Sequence, residues 1–155
     1  MFRFIAVAVA VKAATVLTLM GSVYVFPDID PDKVPDLSTP AAIAAVAAAV
    51  FWFARTVKRP MLKGEIFSFA GGVTIGEIAI SVGIFFLMIL EAGQPFSLEG
   101  LNAAMSDGGT PIEASAFALS LVFGVILGAL MTFIIAAFFA WILTKNLPVV
   151  VDDFD

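Results

Sequence analysis

The sequence predicts an all-α integral membrane protein, a bundle of four transmembrane helices with both termini on the cytoplasmic side. Composition is the first reason: a chain of 155 residues that is 61% hydrophobic and 14% charged, with a mean hydropathy of +1.08, cannot hide its apolar surface in one soluble core. The second is the recurrence of apolar runs near the length needed to cross a hydrocarbon core of about 30 Å. The third is the placement of basic residues, which gather on one side of those runs.

The expected organisation is a single membrane domain over residues 1–155 with spans at about 4–26, 39–57, 65–91 and 111–144. The first span begins at "MFRFIAVAVAV", whose basic start and apolar run also suit a secretory signal. Lys12 interrupts that run, no convincing small-residue cleavage site follows, and the apolar pattern continues to Phe26, so it reads as a span. The second is short, but Thr39 and Pro40 suit an N-cap and first-turn proline, and Phe51, Trp52 and Phe53 suit an interfacial anchor before Arg55. The third runs from Ile66 to Leu90. The fourth begins at "TPIE", where Thr110 can cap, Pro111 can take the first helical position and Glu113 can close a capping box. It is the longest, and is expected to tilt or project beyond the bilayer.

Between the second and third spans, the inner loop 55–64 carries Arg55, Lys58, Arg59 and Lys63, whereas the loop 92–110 has no Lys or Arg. The positive-inside rule puts the basic loop in the cytoplasm, and an even number of spans brings both termini there, with Arg3 and Lys145. The outer loops 27–38 and 92–110 and their flanks then collect Asp28, Asp30, Asp32, Asp36, Glu91, Glu99, Asp107 and Glu113, against Lys33. "DIDPDKVPD" resembles the opening of a calcium loop, but Lys33 replaces the turn glycine and Thr39 stands where the bidentate Glu belongs. Its prolines suggest a stiff extended connection. "FSLEGLNAAMSDGG" suits a short helix from Ser97, with Phe96, Leu98, Leu101 and Met105 toward the bilayer or a partner and an end at Gly108, or a plain surface loop.

Small residues supply the packing surfaces, since helices in lipid associate where backbones approach closely. The fourth span has one at every fourth position, including Ser120, Gly124, Gly128 and Thr132, and the third has Gly72 and Gly76. A spacing of four drifts about 40° per step around a helix, so one stripe cannot face one partner along its whole length. The fourth helix is expected to serve two neighbours, both within the chain or one from another subunit.

Glu77, in "GGVTIGEIAIS", is an acid inside an apolar span. At that depth a charge costs about 2.5 to 3.5 kcal/mol on insertion scales, so it should face the bundle interior, lose its charge or find a partner. Lys12 is the candidate partner; Thr15, Thr18, Ser81 or Thr132 are candidates to satisfy a protonated carboxyl. Three roles compete: a structural pair or hydrogen-bonded acid, a proton or cation pathway, and contact with a partner subunit.

The absence of Cys and His removes the common ligands for zinc, iron–sulfur clusters and haem, as well as thiol and imidazole catalysis. "AGGVTIGE" lies within a span and lacks the strand that a nucleotide fingerprint requires. A net charge of −5 argues against nucleic acid. The sequence therefore leads to no cofactor, no metal and no enzyme.

The passage "FARTVKRPMLKGEIFSFAGG", an aromatic-basic end of the second span followed by Pro-x-x-x-Gly-Glu, resembles a group of small uncharacterised four-span membrane proteins of bacteria, over roughly residues 53–70 and in the order of spans. That resemblance implies the bacterial cytoplasmic (inner) membrane and no particular activity. The expected role is a non-catalytic accessory or assembly subunit of a larger membrane protein complex, with membrane lipids and other membrane subunits or itself as partners. The alternative is a homo-oligomeric transporter or channel using Glu77. Arg55, Lys58, Arg59 and Lys63 are expected to meet lipid headgroups.

Overall fold

The computed structural model describes residues 1–25, 38–106 and 112–146. Five α-helices follow one another: α1 (Phe2–Val25), α2 (Ser38–Val57), α3 (Lys63–Glu91), α4 (Leu98–Met105) and α5 (Ala114–Asn146). No strand occurs among the described residues. Three of the helices, α2 from Pro40 onward, α3 and α5, are long and apolar enough to cross a membrane. The acidic connection from Asp28 to Asp36 and the residues Asp107, Gly108, Thr110 and Pro111 lie outside the described residues.

The chain resolves into two compact units, Met1–Val73 with Thr132–Asp155, and Thr74–Met131. In the first, α1 and α2 pack along each other. The buried positions on α2, at Ala45, Val46, Ala49, Val50 and Phe53, recur at helical spacing and form one stripe. Phe4 and Ala8 of α1, Ile66, Phe69, Ala70 and Val73 of α3, and Ala136 and Ala140 of α5 complete the same core. Phe67 stacks on Phe133 at 6.1 Å, joining the first turns of α3 to the middle of α5. Gly72 lets α1 approach α3: a Cβ there would lie 2.5 Å from Ile5 Cδ1. The neighbouring Gly71 has open space around it.

Helix α2 ends where Lys58 takes a left-handed backbone, φ 54°, with its N–H on the Ala54 carbonyl at 2.9 Å. Pro60 follows two residues later, where the helix cannot continue. In α1 the hydroxyls of Thr15 and Thr18 donate to the carbonyls of Val11 and Ala14 at 2.9 and 2.8 Å. Each spends its one proton on its own helix, leaving only acceptor lone pairs for a protonated acid.

The second unit, Thr74–Met131, is built on the C-terminal part of α3, on α4 and on the first part of α5. Helix α3 stops at a glycine cap: Gly93, φ 63°, donates to Leu90 at 3.1 Å and Gln94 donates to Ile89 at 3.1 Å, the paired bonds of a Schellman motif. Ser97 then caps α4, its side chain accepting from the Gly100 N–H at 3.0 Å. The short helix expected from Ser97 therefore forms, but it ends at Met105 with Ser106 as its C-cap rather than at Gly108. The Ser106 hydroxyl and N–H both reach the Asn102 carbonyl, at 2.7 and 3.1 Å, which closes the helix early.

Leu101 packs with Ile89 and Phe117 in the core of this unit, flanked by Phe85 and Leu121. Asn102 is 5% exposed and donates through Nδ2 to the Ile112 carbonyl at 2.6 Å. That bond ties residue 112 to α4, and α5 begins at Ala114, three residues beyond the expected start at 111. Glu113 consequently stands at the head of α5 instead of within its first turn. Its carbonyl accepts from Phe117 N–H at 2.9 Å and its Oε1 accepts from the Ser115 hydroxyl at 2.7 Å.

Candidate functional site

A cluster of polar contacts lies at the turn between α2 and α3. Arg59 forks onto Glu65, Nη1 to Oε2 and Nη2 to Oε1, both at 2.8 Å. Arg59 Nη1 also donates to the Pro60 carbonyl at 3.1 Å. Glu65, in the first turn of α3, accepts from the Leu62 N–H at 2.8 Å. It thereby satisfies one of the donors a helix start leaves open and places a negative charge where the helix dipole favours it. The bidentate geometry suits the planar guanidinium; a lysine ammonium would keep one of the two bonds.

Aromatic faces surround this turn. The Arg59 guanidinium lies 5.7 Å from the Phe53 ring centroid, and Arg55 lies 5.3 Å from that of Phe51. Arg3, at the start of α1, lies 5.0 Å from the Phe4 ring and 6.0 Å from Trp52. Phe4 in turn meets Trp52 and Phe53 edge-on, with centroids 4.8 and 5.0 Å apart. Toward the end of α5, Lys145 lies 5.3 Å from the Trp141 ring. Each pairing is within the range in which a ring quadrupole attracts a cation. The four residues expected to meet headgroups thus divide: Arg55, Lys58 and Lys63 are exposed, whereas Arg59 is held by Glu65.

Glu77 is half-buried in α3 and belongs to the second unit, and Lys12 is half-buried in α1 and belongs to the first. Both make interactions within the structure. Of the small-residue positions, Gly72 is matched by Ile5, and Gly76 is half-buried on α3. The stripe on α5 changes character along its length. Thr132 is half-buried, and Ala136 and Ala140 are 1% and 0% exposed in the first unit's core. Ser120, Gly124 and Gly128 in the second unit are exposed, and a Cβ added at either glycine would meet nothing within 4 Å.

No family model matches the chain, and neither a curated protein nor a solved structure matches it. Function therefore has to be read from the chain's own surfaces.

Those surfaces are of two kinds. The turn and its neighbours present cationic donors beside aromatic faces, which suits binding of anions at an interface between water and hydrocarbon. The first half of α5 presents an exposed row with no side chain at Gly124 and Gly128, which suits close approach of another helix. Glu65 was not singled out from the sequence, although a Glu at the third position of a helix beginning after Leu62 is the acidic half of a capping box. Gly93 was also missed; "EAGQP", a glycine followed two residues later by proline after a long apolar run, carries its signal.

Proposed function

We propose that this chain is a multi-pass protein of a bacterial cytoplasmic membrane, with four spans and both termini inside, that serves as a non-catalytic accessory or assembly subunit of a larger membrane complex. The reading of α1 as a fourth span rests on its apolar length of 24 residues and on its packing beside α2. The orientation rests on the basic α2–α3 turn. The exposed acids Glu91, Glu99 and Glu113, in a unit whose sequence contains no Lys or Arg, supply an outer surface suited to a positively charged partner.

The observation that carries the proposal is the change of character along α5. One small-residue stripe is covered at its Ala136 and Ala140 end and open at Gly124 and Gly128. Lipid tails fill such a row poorly compared with a helix that packs against it, so the open half is the surface on which a neighbouring subunit is expected. The test is site-directed crosslinking in native membranes from position 124 or 128, with the products identified by mass spectrometry. Adducts to an unrelated membrane protein support the accessory role; adducts only to lipid contradict it.

The half-buried position of Glu77 within α3 favours one second reading, a homo-oligomeric transporter or channel in which that carboxyl is protonated and released during transport. With a single such acid per protomer, that reading requires several copies. Unchanged proton-coupled flux in liposomes carrying Glu77→Gln removes it, and abolished flux promotes it above the accessory role.

A further inference from the structure

In the first unit, the start of α1, the end of α2 and the start of α3 lie together, joined by the contacts of Phe4 with Trp52 and Phe53 and by the Arg59–Glu65 fork. The last turns of α5 join them, with Ala136 and Ala140 in the core that holds Phe4, Phe53, Met61 and Ile66 and with Phe139 and Leu143 packed against it. This end carries Arg3, Arg55, Lys58, Arg59, Lys63 and Lys145, and the one acid among the unit's described residues is Glu65. Glu65 neutralises Arg59 within the fork, and Arg3, Arg55, Lys63 and Lys145, all exposed, give the surface its positive charge. Lys58 is exposed as well.

The same end displays Phe51, Trp52 and Trp141, each between 38% and 49% exposed. Three of the cations, Arg3, Arg55 and Lys145, rest against aromatic rings, which fixes their stems at the level of the rings and leaves their outward donors available. A positively charged surface for a soluble acidic protein does not need indole and phenyl rings at its edge. A surface that sits where hydrocarbon gives way to headgroups does: the ring bodies enter the apolar layer while the cations meet phosphates just above it.

We propose that this end of the first unit is a binding surface for anionic phospholipid headgroups, with Arg55 and Lys63 beside the α2–α3 turn as its principal phosphate contacts and Arg3, Lys58 and Lys145 around them. The Arg59–Glu65 fork is the frame that holds the turn in shape and is not itself a phosphate contact. This goes beyond the general pull of a basic loop on an anionic leaflet, because it names a surface of fixed geometry that selects by headgroup charge. It rests on the reading of α2 and α3 as spans and is independent of the accessory role.

The full chain, purified in neutral detergent, is titrated with phosphatidylglycerol or phosphatidylcholine of the same acyl chains, and bound lipid is counted by native mass spectrometry. Phosphatidylglycerol is expected to be retained roughly tenfold more strongly, with the preference collapsing toward parity in the Arg55→Gln/Lys63→Gln double variant. Equal retention of the two lipids by the unaltered chain overturns the proposal, as does a preference that the double variant keeps in full. Displacement of phosphatidylglycerol by an equal concentration of glycerol phosphate also overturns it, since the site would then take free phosphate and not a lipid. Should the double variant fail to fold, the unaltered chain at high salt decides: the preference must disappear as the screening length approaches about 3 Å at 1 M, and its persistence contradicts a charged headgroup surface.

Discussion

Arg59 and Glu65 meet across the turn between α2 and α3 in a two-bond fork, both N···O distances 2.8 Å, and Glu65 uses the same carboxylate to cap α3 through the Leu62 N–H. The pair is 42% and 27% exposed, so its Coulombic part is modest and screened. The cap is the larger local effect. Glu65→Ala is therefore expected to lower stability by about 1 kcal/mol, the usual cost of losing a side-chain helix cap. Arg59→Lys, which leaves the cap in place, is expected to cost less. Thermal unfolding of the two variants in one detergent reads the order; a larger loss for Arg59→Lys would assign the stability to the ion pair instead.

Adjacent glycines on α3 predict opposite outcomes. A methyl at Gly72 would collide with Ile5, whose side chain must then move within a packed core, so Gly72→Ala is expected to cost about 1 to 3 kcal/mol. At Gly71 the space is open, and Gly71→Ala should be neutral or stabilising by up to about 1 kcal/mol through helix propensity. Equal melting shifts for the two variants would contradict the described contact between α1 and α3.

These two glycines also mark how far the sequence alone reaches. Helix positions were legible because an apolar run must span or be buried, and the short helix from Ser97 was legible only as one of two readings, the other a plain surface loop, because eight residues are too few for periodicity to decide. Gly72 was named as a packing residue from its place in a row of small residues, yet that row could not say which helix it meets. The α5 stripe was expected to face two neighbours. The structure covers one end with the chain's own core and leaves the other end open. The fork escaped notice because a spacing of six residues across Pro60 brings two side chains together only for particular backbone angles, here including a left-handed Lys58. The late start of α5 followed from the Asn102 bond to Ile112, a tertiary contact with no local signature.

The connection from α3 to α4 depends on two further glycines, for different reasons. Gly93 holds a left-handed backbone, so Gly93→Ala should cost about 1 to 2 kcal/mol. Gly100 faces the Pro95 carbonyl oxygen so closely that any Cβ overlaps it, and a backbone atom cannot swing aside as a side chain can. Gly100→Ala should cost about 1 to 3 kcal/mol and detach α4 first. Hydrogen exchange at Leu101 and Asn102 checks this: protection lost there before loss in α2 agrees, and unchanged protection contradicts.

Leucine at the open end of the α5 stripe separates folding from association. Gly124→Leu and Gly128→Leu have room within the chain, so the melting temperature of the isolated protein should stay within a few degrees of the original, the size of shift an about 1 kcal/mol change produces. Recovery of any partner in mild-detergent pull-downs should fall sharply. Undiminished recovery would place the partner on another face.

The central claim is membership of a larger membrane complex, and the mass and composition of the native particle test it most directly. The chain, tagged at its natural level of expression, is extracted from native membranes in mild detergent, resolved on a native gel and identified by mass spectrometry. Co-migration with unrelated membrane subunits in a fixed ratio is the predicted result. Migration as a monomer or as a homo-oligomer alone would contradict it and turn attention to Glu77.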